Sequence, residues 1–358
     1  MTNEPNESNG QVRPDGPVDL LSLLPEELEA FAESAGLPRY RGTQIWDGLC
    51  RGAKRLEDIS TLPKSAVRLL ESSTVIRFAE VEEKLVSALD GTVKFLFRMT
   101  DGKAVEGVLM QYQHGYSLCL STQVGCRMGC SFCASTKAGL DRSLHPSEMI
   151  GQILACREST GITPDHLVLM GMGEPLDNYE NVLKFLRLVN HPRGLNIGMR
   201  HISLSTCGLV PMMDRLASEK LGLTLSVSLH AATDEKRKQI MPVANAYSIR
   251  ELMDACDRYT KATGRRISYE YALIAGVNDS VADANEVGRL LKNRLAHLNL
   301  IPVNPIKERS FRRSGQEAVR VFAETVQNGY GIPVTVRRKL GSDIDASCGQ
   351  LRAKRDGL

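Results

Sequence analysis

The chain has 358 residues, of which 42% are hydrophobic and 24% are charged, a globular composition that excludes fibrous and wholly disordered proteins. A net charge of +3 is too small to identify a nucleic-acid partner, and no apolar run reaches the roughly 18 residues that a membrane helix needs. Nine cysteines, with no apolar core of a secretory signal, favour a cytoplasmic protein in which clustered thiols do metal or redox chemistry.

The N-terminal part divides into a polar tail and a helical segment. Residues 1–17 are rich in Asn, Glu, Ser, Gly and Pro, and this composition predicts a disordered tail. Residues 18–74 place Leu, Ile and Phe at helical spacing and predict a small helical domain. The Lys and Arg residues interspersed in it fit either a solvated surface or an accessory nucleic-acid-binding domain.

Residues 75–116 change to the period of a β-strand. Two alternating segments surround the turn Asp90-Gly91, and Asp101-Gly102 marks a second turn. Asp-Gly between alternating segments is typical of a β-hairpin. We therefore predict an extension of antiparallel hairpins here.

Residues 117–340 alternate between strand and helix patterns. Six strands are predicted, in SLCLST, HLVLMG, HISLST, LTLSVSLH, ISYEYALI and LNLIPV. Capping boxes or close variants mark three helix starts, at Ser248 with Glu251, Ser280 with Asp283, and Ser314 with Glu317. Strand–helix units in series predict an α/β fold with a parallel sheet, either a full or partial (β/α) barrel or an open doubly wound sheet. Residues 341–358 form a separate C-terminal loop and tail.

The strongest chemical signal is a cluster of three cysteines directly after the first of these strands. Cys126, Cys130 and Cys133 lie within eight residues of a glycine-containing loop. Soft thiolates bind zinc or iron–sulfur centres, but a structural zinc site needs four protein ligands. Three thiolates suit a [4Fe–4S] cluster with one iron left open for a substrate or cosubstrate. This spacing, with Phe132 before the third cysteine, resembles the radical S-adenosylmethionine (SAM) superfamily.

Polar and glycine residues collect at the ends of the predicted strands. Alone, each is typical of a cap or turn. The carboxyl ends of barrel strands meet at one face, where the active sites of barrel enzymes lie, so we expect these residues to surround one site. They are Gly173 and Glu174 in GMGEP, Ser205 in LST, Ser228, Leu229 and His230 in SLH, and Asn304 in VNP.

Two further cysteines stand apart from the cluster. Cys348 lies in the polar loop GSDIDASCGQL after a probable strand, and nearby basic residues (Arg337, Arg338 and Lys339) would favour its thiolate. Cys119 lies within the first barrel strand, where the sequence alone favours a buried core cysteine.

Eight motifs, in order from about residue 39 to residue 351, make a wider resemblance. They are VEGVLM, SLCLSTQVGCRMGCSFCAS, MGMGEPL, ISLSTCG, SLHA, GVND, NLIPVNP and SDIDASCGQL. Together they resemble the RlmN/Cfr family of radical SAM RNA methyltransferases, and GMGEP and LSTCG favour the adenine-C2 branch. The resemblance implies a partial (β/α)6 barrel, an RNA-binding N-terminal domain, and methylation of adenine-2503 of 23S rRNA and adenine-37 of tRNAs.

The same resemblance implies roles for the candidate residues. Cys126, Cys130 and Cys133 would hold one [4Fe–4S] cluster, and the residues at the strand ends would line the SAM pocket. Cys348 would be methylated by one SAM, and a radical from a second SAM would activate that methyl group for addition to adenine. Cys119 would release the product by forming a disulfide with Cys348, and Glu106 in VEGVLM would accept a proton.

The partners and alternatives follow from these assignments. From Pro302 onward, 11 Lys or Arg residues against 6 Asp or Glu residues give mild support for contacts with 23S rRNA and tRNA. The resemblance also implies an electron donor such as flavodoxin or ferredoxin, and nothing demands more than a monomer. Three alternatives stay open: Cfr-type methylation of C8, a zinc-thiolate RNA-binding protein, and a radical SAM enzyme that acts on a small molecule.

Overall fold

The computed structural model describes residues 16–303, 311–344 and 346. Nearly all of the predicted disordered tail, Asn304 and Cys348 lie outside the described residues. The chain divides into two compact units, one ending at Arg77 and one beginning at Phe78, and each is described by itself.

The first unit is mainly helical, as predicted. Its elements are β1 (Val18–Asp19), α1 (Pro25–Ser34), α2 (Tyr40–Arg51), α3 (Lys64–Leu70) and β2 (Thr74–Val75), with short 3-10 turns at Leu20–Ser22 and Leu56–Asp58. β1 and β2 pair in parallel. The helices bury an apolar core that includes Leu20, Leu28, Ile45, Trp46 and Leu49.

The second unit is built around one large sheet of ten strands among the described residues. Two short strands, β7 and β8, form a separate hairpin. The strands are β3 (Ala79–Val86), β4 (Val93–Met99), β5 (Ala104–Tyr112), β6 (Gly115–Cys119), β7 (Gln123–Gly125), β8 (Leu140–Ser143), β9 (His166–Leu169), β10 (Ile202–Thr206), β11 (Thr224–Ser228), β12 (Ile267–Leu273), β13 (Ala296–Pro302) and β14 (Val334–Val336).

The strand order of the large sheet is β14-β13-β12-β11-β10-β9-β6-β5-β4-β3. The strands from β6 to β14 are parallel, and those from β3 to β6 are antiparallel. Neighbours in the sheet follow one another along the chain, without the reversal of a doubly wound sheet. The six predicted barrel strands are confirmed as β6 and β9 to β13, and the sheet is the wall of a partial barrel. The predicted hairpins continue this same sheet.

Helices connect the parallel strands. They are α4 (Pro146–Thr160), α5 (Tyr179–Asn190), α6 (Val210–Ser218), α7 (Asp234–Ile240), α8 (Ile249–Thr263), α9 (Val281–Leu291) and α10 (Gln316–Tyr330). No helix among the described residues is long and apolar enough to cross a membrane.

Two of the three predicted capping boxes are present, and one is wrong. Ser248 and Ser280 accept hydrogen bonds from the backbone N–H groups of Glu251 and Asp283, at the starts of α8 and α9. At the start of α10 the N-cap is Gly315 instead. The Ser314 hydroxyl donates to Asp279 Oδ2 at 2.7 Å, so a tertiary contact takes the place of the cap.

Candidate active site

The three clustered cysteines lie on a loop that a small hairpin closes at its base. β7 and β8 flank this loop, and Cys126 N–H donates to the Gly139 carbonyl at 2.8 Å. The Thr136 hydroxyl donates to the carbonyls of Cys130 at 3.2 Å and Cys133 at 2.9 Å. Ser131 N–H also donates to the Ile240 carbonyl at 2.9 Å. These bonds fix both the base and the tip of the loop.

Gly125 allows the base of the loop to close. Its φ of +85° lies in the left-handed region, and an added Cβ would lie 2.0 Å from the Gly139 oxygen. Only glycine fits at this close approach.

The thiols are chemically suited to a metal centre, and those of Cys126 and Cys130 are buried while that of Cys133 is half-buried. Burial, with a smaller contribution from the nearby Cys133, raises the pKa of both Cys126 and Cys130 to about 12. Without a cation they are therefore neutral thiols at pH 7, and a bound metal centre would be needed to hold them as thiolates. In the described part of the chain, no three His, Cys, Asp or Glu side chains are already gathered as metal ligands. The three thiols share one cavity wall with Met128 and Phe132.

Glu174 in the GMGEP turn is buried and held by backbone groups. Its Oε1 accepts from Leu176 N–H at 3.1 Å, and its Oε2 accepts from Cys207 N–H at 2.7 Å. Burial raises the pKa of Glu174, although these bonds oppose the shift. The carboxyl group therefore joins the turn after β9 to the end of β10. Gly173 is required before it, because its φ is +103° and an added Cβ would lie 2.6 Å from the Gln123 Cβ.

His230 follows β11 and is held as a neutral imidazole. Its Nδ1 accepts from Ala272 N–H at 2.9 Å, and its ring meets that of Phe132 edge-on with centroids 4.7 Å apart. Burial, with a smaller contribution from Arg237, lowers the pKa of His230 to about 3. Because Nδ1 is an acceptor, the proton lies on Nε2. His230 is thus a fixed donor that joins the cysteine loop to the strand ends.

A cavity of about 380 Å³ opens at the carboxyl ends of the parallel strands. The predicted site residues that line it, besides the three cysteines of the cluster, are Gly173, Glu174, Ser205, Ser228, His230 and Cys119. Leu229 is fully buried and is not among the lining residues. Convergence of the strand ends, expected from the barrel topology, therefore holds for most of the described candidates.

Cys119 and Glu106 lie on the β5–β6 side of this cavity. Cys119 is 3% exposed, pairs with Val108 across the strands, and packs with Met110. Glu106 does not line the cavity, but it lies on the same face of β5 as the lining residue Val108. The Glu106 carboxylate is fully buried and forms an ion pair with Lys94 Nζ at 3.2 Å.

Sequence reasoning missed several residues that hold the site together. Arg237 is fully buried, and it donates to the carbonyls of Cys207 at 2.7 Å, Ser228 at 3.1 Å and Leu229 at 3.2 Å. It thereby ties together the ends of β10 and β11. No local pattern marks such an arginine, because α7 otherwise reads as a charged surface helix.

Asn278 and Glu270 were also missed. The Asn278 amide donates to the carbonyls of His230 and Ala272, each at 2.7 Å. One signal of this role was present in the sequence, because Asn278 lies in the GVND motif. Glu270 lines the cavity, and its Oε2 accepts from Asn299 Nδ2 at 2.6 Å. Burial raises the pKa of Glu270.

The mouth of the cavity is basic. Four cationic side chains line it, and they come from the segment directly after the strand β14 and from the isolated bridge near β12. They are Arg313, Arg337, Arg338 and Lys339. An anionic ligand would be attracted to this opening.

Comparisons with known proteins agree with this geometry. The Radical SAM superfamily model matches residues 120–286. A probable dual-specificity RNA methyltransferase RlmN of Clostridium botulinum is 51% identical over 334 residues, which are 93% of this chain and 96% of the relative. A relative of the same name from Alkaliphilus oremlandii is 49% identical, and the matched region covers 94% of this chain and 98% of that relative.

The chain belongs to the RlmN family of radical SAM RNA methyltransferases. A solved structure of a radical SAM methyltransferase from Sphaerobacter thermophilus agrees in fold, with a TM-score of 0.88, 43% identity, and coverage of 93% of this chain and 99% of that one. RlmN family membership makes the protein an RNA-methylating enzyme, and it implies an iron–sulfur cluster and SAM as cofactors in general.

Proposed function

We propose that this enzyme methylates C2 of one adenine in 23S rRNA and one in tRNA through an S-methylcysteine at Cys348. One observation carries the proposal: a single cavity is lined by the three clustered cysteines, by Cys119, and by Ala346. Cys348 follows Ala346 by two residues, which span at most about 7 Å of extended chain. The dual-specificity names of the relatives support two RNA substrates.

In this proposal Cys126, Cys130 and Cys133 hold one [4Fe–4S] cluster per chain. When bound, the cluster and SAM supply a 5′-deoxyadenosyl radical, and two SAM molecules are consumed per turnover. Gly173, Ser205, Ser228 and His230 line the SAM pocket, with Glu174 fixing the turn after β9 and Leu229 and Asn304 completing the set. His230 offers its Nε2 proton to the ligand because its Nδ1 is occupied.

Cysteine chemistry suits this target atom. C2 of adenine lies between two ring nitrogens and is too electron-poor to take a methyl group directly from SAM as a nucleophile. A covalent carrier at Cys348 divides the reaction into easier steps. Cys119 then releases the methylated base by forming a disulfide with Cys348, and Glu106 accepts a proton. The ion pair with Lys94 holds Glu106 in place on the cavity side of β5.

The RNA is held at the basic mouth. Arg313, Arg337, Arg338 and Lys339 line the cavity and would contact phosphates around the entrance. The target adenine has to leave its stack to reach the cavity, which suits a loop substrate. In this proposal the enzyme acts as a monomer, and an electron donor such as flavodoxin or ferredoxin supplies the electron.

The test is the identity of the product. The anaerobically reconstituted enzyme, with reductant and methyl-labelled SAM, is incubated with unmodified 23S rRNA fragment or tRNA, and the labelled nucleosides are identified by mass spectrometry. We expect 2-methyladenosine from both RNAs, and no labelled product from Cys348→Ala. 8-Methyladenosine would assign the chain to C8 chemistry instead. SAM cleavage without labelled RNA in the unchanged enzyme would refute the proposed substrates.

A further inference from the structure

Two aspartates with no part in the proposed reaction tie the C-terminal segment to the turn between β3 and β4. Gly341 N–H donates to Asp90 Oδ2 at 2.8 Å. Asp343 accepts from the Ser87 hydroxyl at 2.6 Å with one oxygen and from Ala88 N–H at 2.9 Å with the other. We call Ser87, Asp90, Gly341 and Asp343 the clasp. Its bonds join parts of the chain that are about 250 residues apart in sequence.

The hairpin side of the clasp is organised by hydrogen bonds of its own. Asp90 Oδ1 accepts from Thr92 N–H at 3.0 Å, and Ser87 N–H donates to the Thr92 carbonyl at 2.8 Å. Ser87 is 3% exposed, and its hydroxyl oxygen also accepts from Leu89 N–H at 3.2 Å. A rigid receptor loses little conformational entropy on binding, so its contacts contribute more of their energy.

The other side of the clasp leads to the cavity. Ala346 N–H donates to the Gly341 carbonyl at 3.1 Å and so closes a compact turn. Leu340 and Ala346 pack against the apolar cluster of Val108, Met110 and Cys119. The clasp therefore holds the start of the C-terminal segment against the strand that carries Cys119.

Charge strengthens the hydrogen bond between Ser87 and Asp343. The hydrogen bond from Ser87 lowers the pKa of Asp343, so this carboxylate is ionised at neutral pH. Hydrogen bonds to a charged acceptor contribute more than those between neutral groups.

We propose that Asp90 and Asp343 are positioning residues that hold the segment carrying Cys348 beside Cys119. The inference rests on the proposed function, in which these two thiols form a disulfide. Because two residues span at most about 7 Å, a clasp that anchors Ala346 would keep the Cys348 thiol within reach of Cys119. Confinement raises the effective concentration of one thiol at the other.

The experiment measures that effective concentration directly. Full-length enzyme with its cluster is equilibrated anaerobically in buffers of reduced and oxidised glutathione. One oxidised glutathione takes two electrons from the two protein thiols, giving one protein disulfide and two reduced glutathione molecules. Mass spectrometry of the peptide that links Cys119 to Cys348 gives the oxidised fraction. We expect Asp343→Ala to lower the effective concentration about tenfold, since it removes both of its bonds.

Two other variants complete the series. Of the two bonds that Asp343 accepts, Ser87→Ala removes one and leaves the one from Ala88, so we expect a smaller loss than in Asp343→Ala. It also removes the bond from Leu89 N–H within the turn. Glu83→Ala changes an exposed acid on the same hairpin and should have no effect. An effective concentration within twofold of the unchanged enzyme in both Asp343→Ala and Ser87→Ala would overturn the proposal. If Asp343→Ala does not fold, Ser87→Ala alone decides, judged by the same twofold limit.

Product analysis keeps the two proposals apart. If the unchanged enzyme makes no methyladenosine, the proposed function fails whatever the variants do to the disulfide. If the unchanged enzyme makes it, Asp343→Ala should form less methyladenosine per SAM cleaved, because the cluster site is intact while Cys348 is poorly presented. An unchanged ratio would count against the clasp alone.

Discussion

At the residue scale, His230 shows how the fold fixes a donor at the cavity. The residue is 5% exposed, its Nδ1 accepts from Ala272 N–H, and its φ is +55°. A non-glycine residue in this region is strained unless its surroundings hold it there. Asn278 does so by donating to the His230 carbonyl. Since the pKa of the buried imidazole is about 3, it stays neutral through the whole physiological range.

This pKa predicts a stability that depends on pH. The unfolded chain binds a proton at this histidine near pH 6.5, whereas the folded chain does so only near pH 3. The contribution of neutral His230 is therefore complete above pH 6.5 and is lost as pH falls from 6.5 towards 3, by up to about 1.4 kcal/mol per pH unit. The free energy of unfolding from urea titrations at pH 7.5 and 5.5 measures the loss.

His230→Asn provides the matched comparison. Asparagine can accept the Ala272 N–H, tolerates a positive φ, and does not titrate. We expect the variant to lose about 1 kcal/mol less stability than the unchanged protein between pH 7.5 and 5.5. Equal losses in the two proteins would show that His230 titrates near its usual pKa.

At the element scale, the β7–β8 hairpin decides whether the cysteine loop can close. We expect Gly125→Ala to push the Gly139 carbonyl away, because the added Cβ would lie 2.0 Å from its oxygen. That carbonyl also accepts from Cys126 N–H, so the first cysteine would move. Iron and sulfide content after anaerobic reconstitution should fall from about four of each per chain to less than one.

Gly329→Ala is the control for this change. It lies within α10, and an added Cβ there meets no atom within 4 Å. Alanine favours a helix over glycine by up to about 1 kcal/mol, so this variant should keep its iron and gain slightly in thermal stability. A full iron content in Gly125→Ala would mean that the hairpin does not control the loop.

The helix starts show what local sequence can and cannot predict. The Ser248 and Ser280 caps follow the local pattern because, within the described part of the chain, their hydroxyls form hydrogen bonds only with residues in the first turn of their own helix. Ser314 has the same pattern, but Asp279 lies within hydrogen-bond distance and takes the hydroxyl. A contact with a residue 35 positions away is invisible to a motif of four residues.

At the scale of the whole molecule, the N-terminal unit is the part whose proposed role in RNA binding is easiest to isolate. Its exposed cations can be removed without touching the cavity. We expect RNA affinity to fall uniformly across RNA sequences, and the salt dependence of log K to become shallower by about 2, when three exposed cations are replaced by Gln. The three are Arg51, Lys64 and Arg68.

The control carries the same loss of charge on the second unit, away from the cavity lining. Its three exposed cations on and after helices α8 and α9 are Arg250, Lys261 and Lys292. Filter binding or fluorescence anisotropy from low to high salt gives the slopes. If both triple variants lose affinity equally, the effect is one of net charge, and the N-terminal unit has no special role in RNA binding.

Much of the fold follows from periodicity, because strand and helix patterns repeat over many residues. The candidate site follows from motifs at strand ends, such as Gly173 with Glu174. The residues that hold the site together do not follow from any motif. The Arg237 bonds, the Lys94–Glu106 pair and the clasp join different elements of the fold, and each depends on a geometry that exists only after the sheet has formed.

The order of strands in the sheet has a consequence for biosynthesis. Each strand from β3 to β14 that belongs to the large sheet pairs with the one made just before it. A nascent chain can therefore add strands to one growing edge as they leave the ribosome, and no strand has to insert between two that are already paired. The segment that carries Cys348 is translated after every one of these strands. In the proposed function, the Cys348 thiol thus reaches a cavity whose strands have already been made.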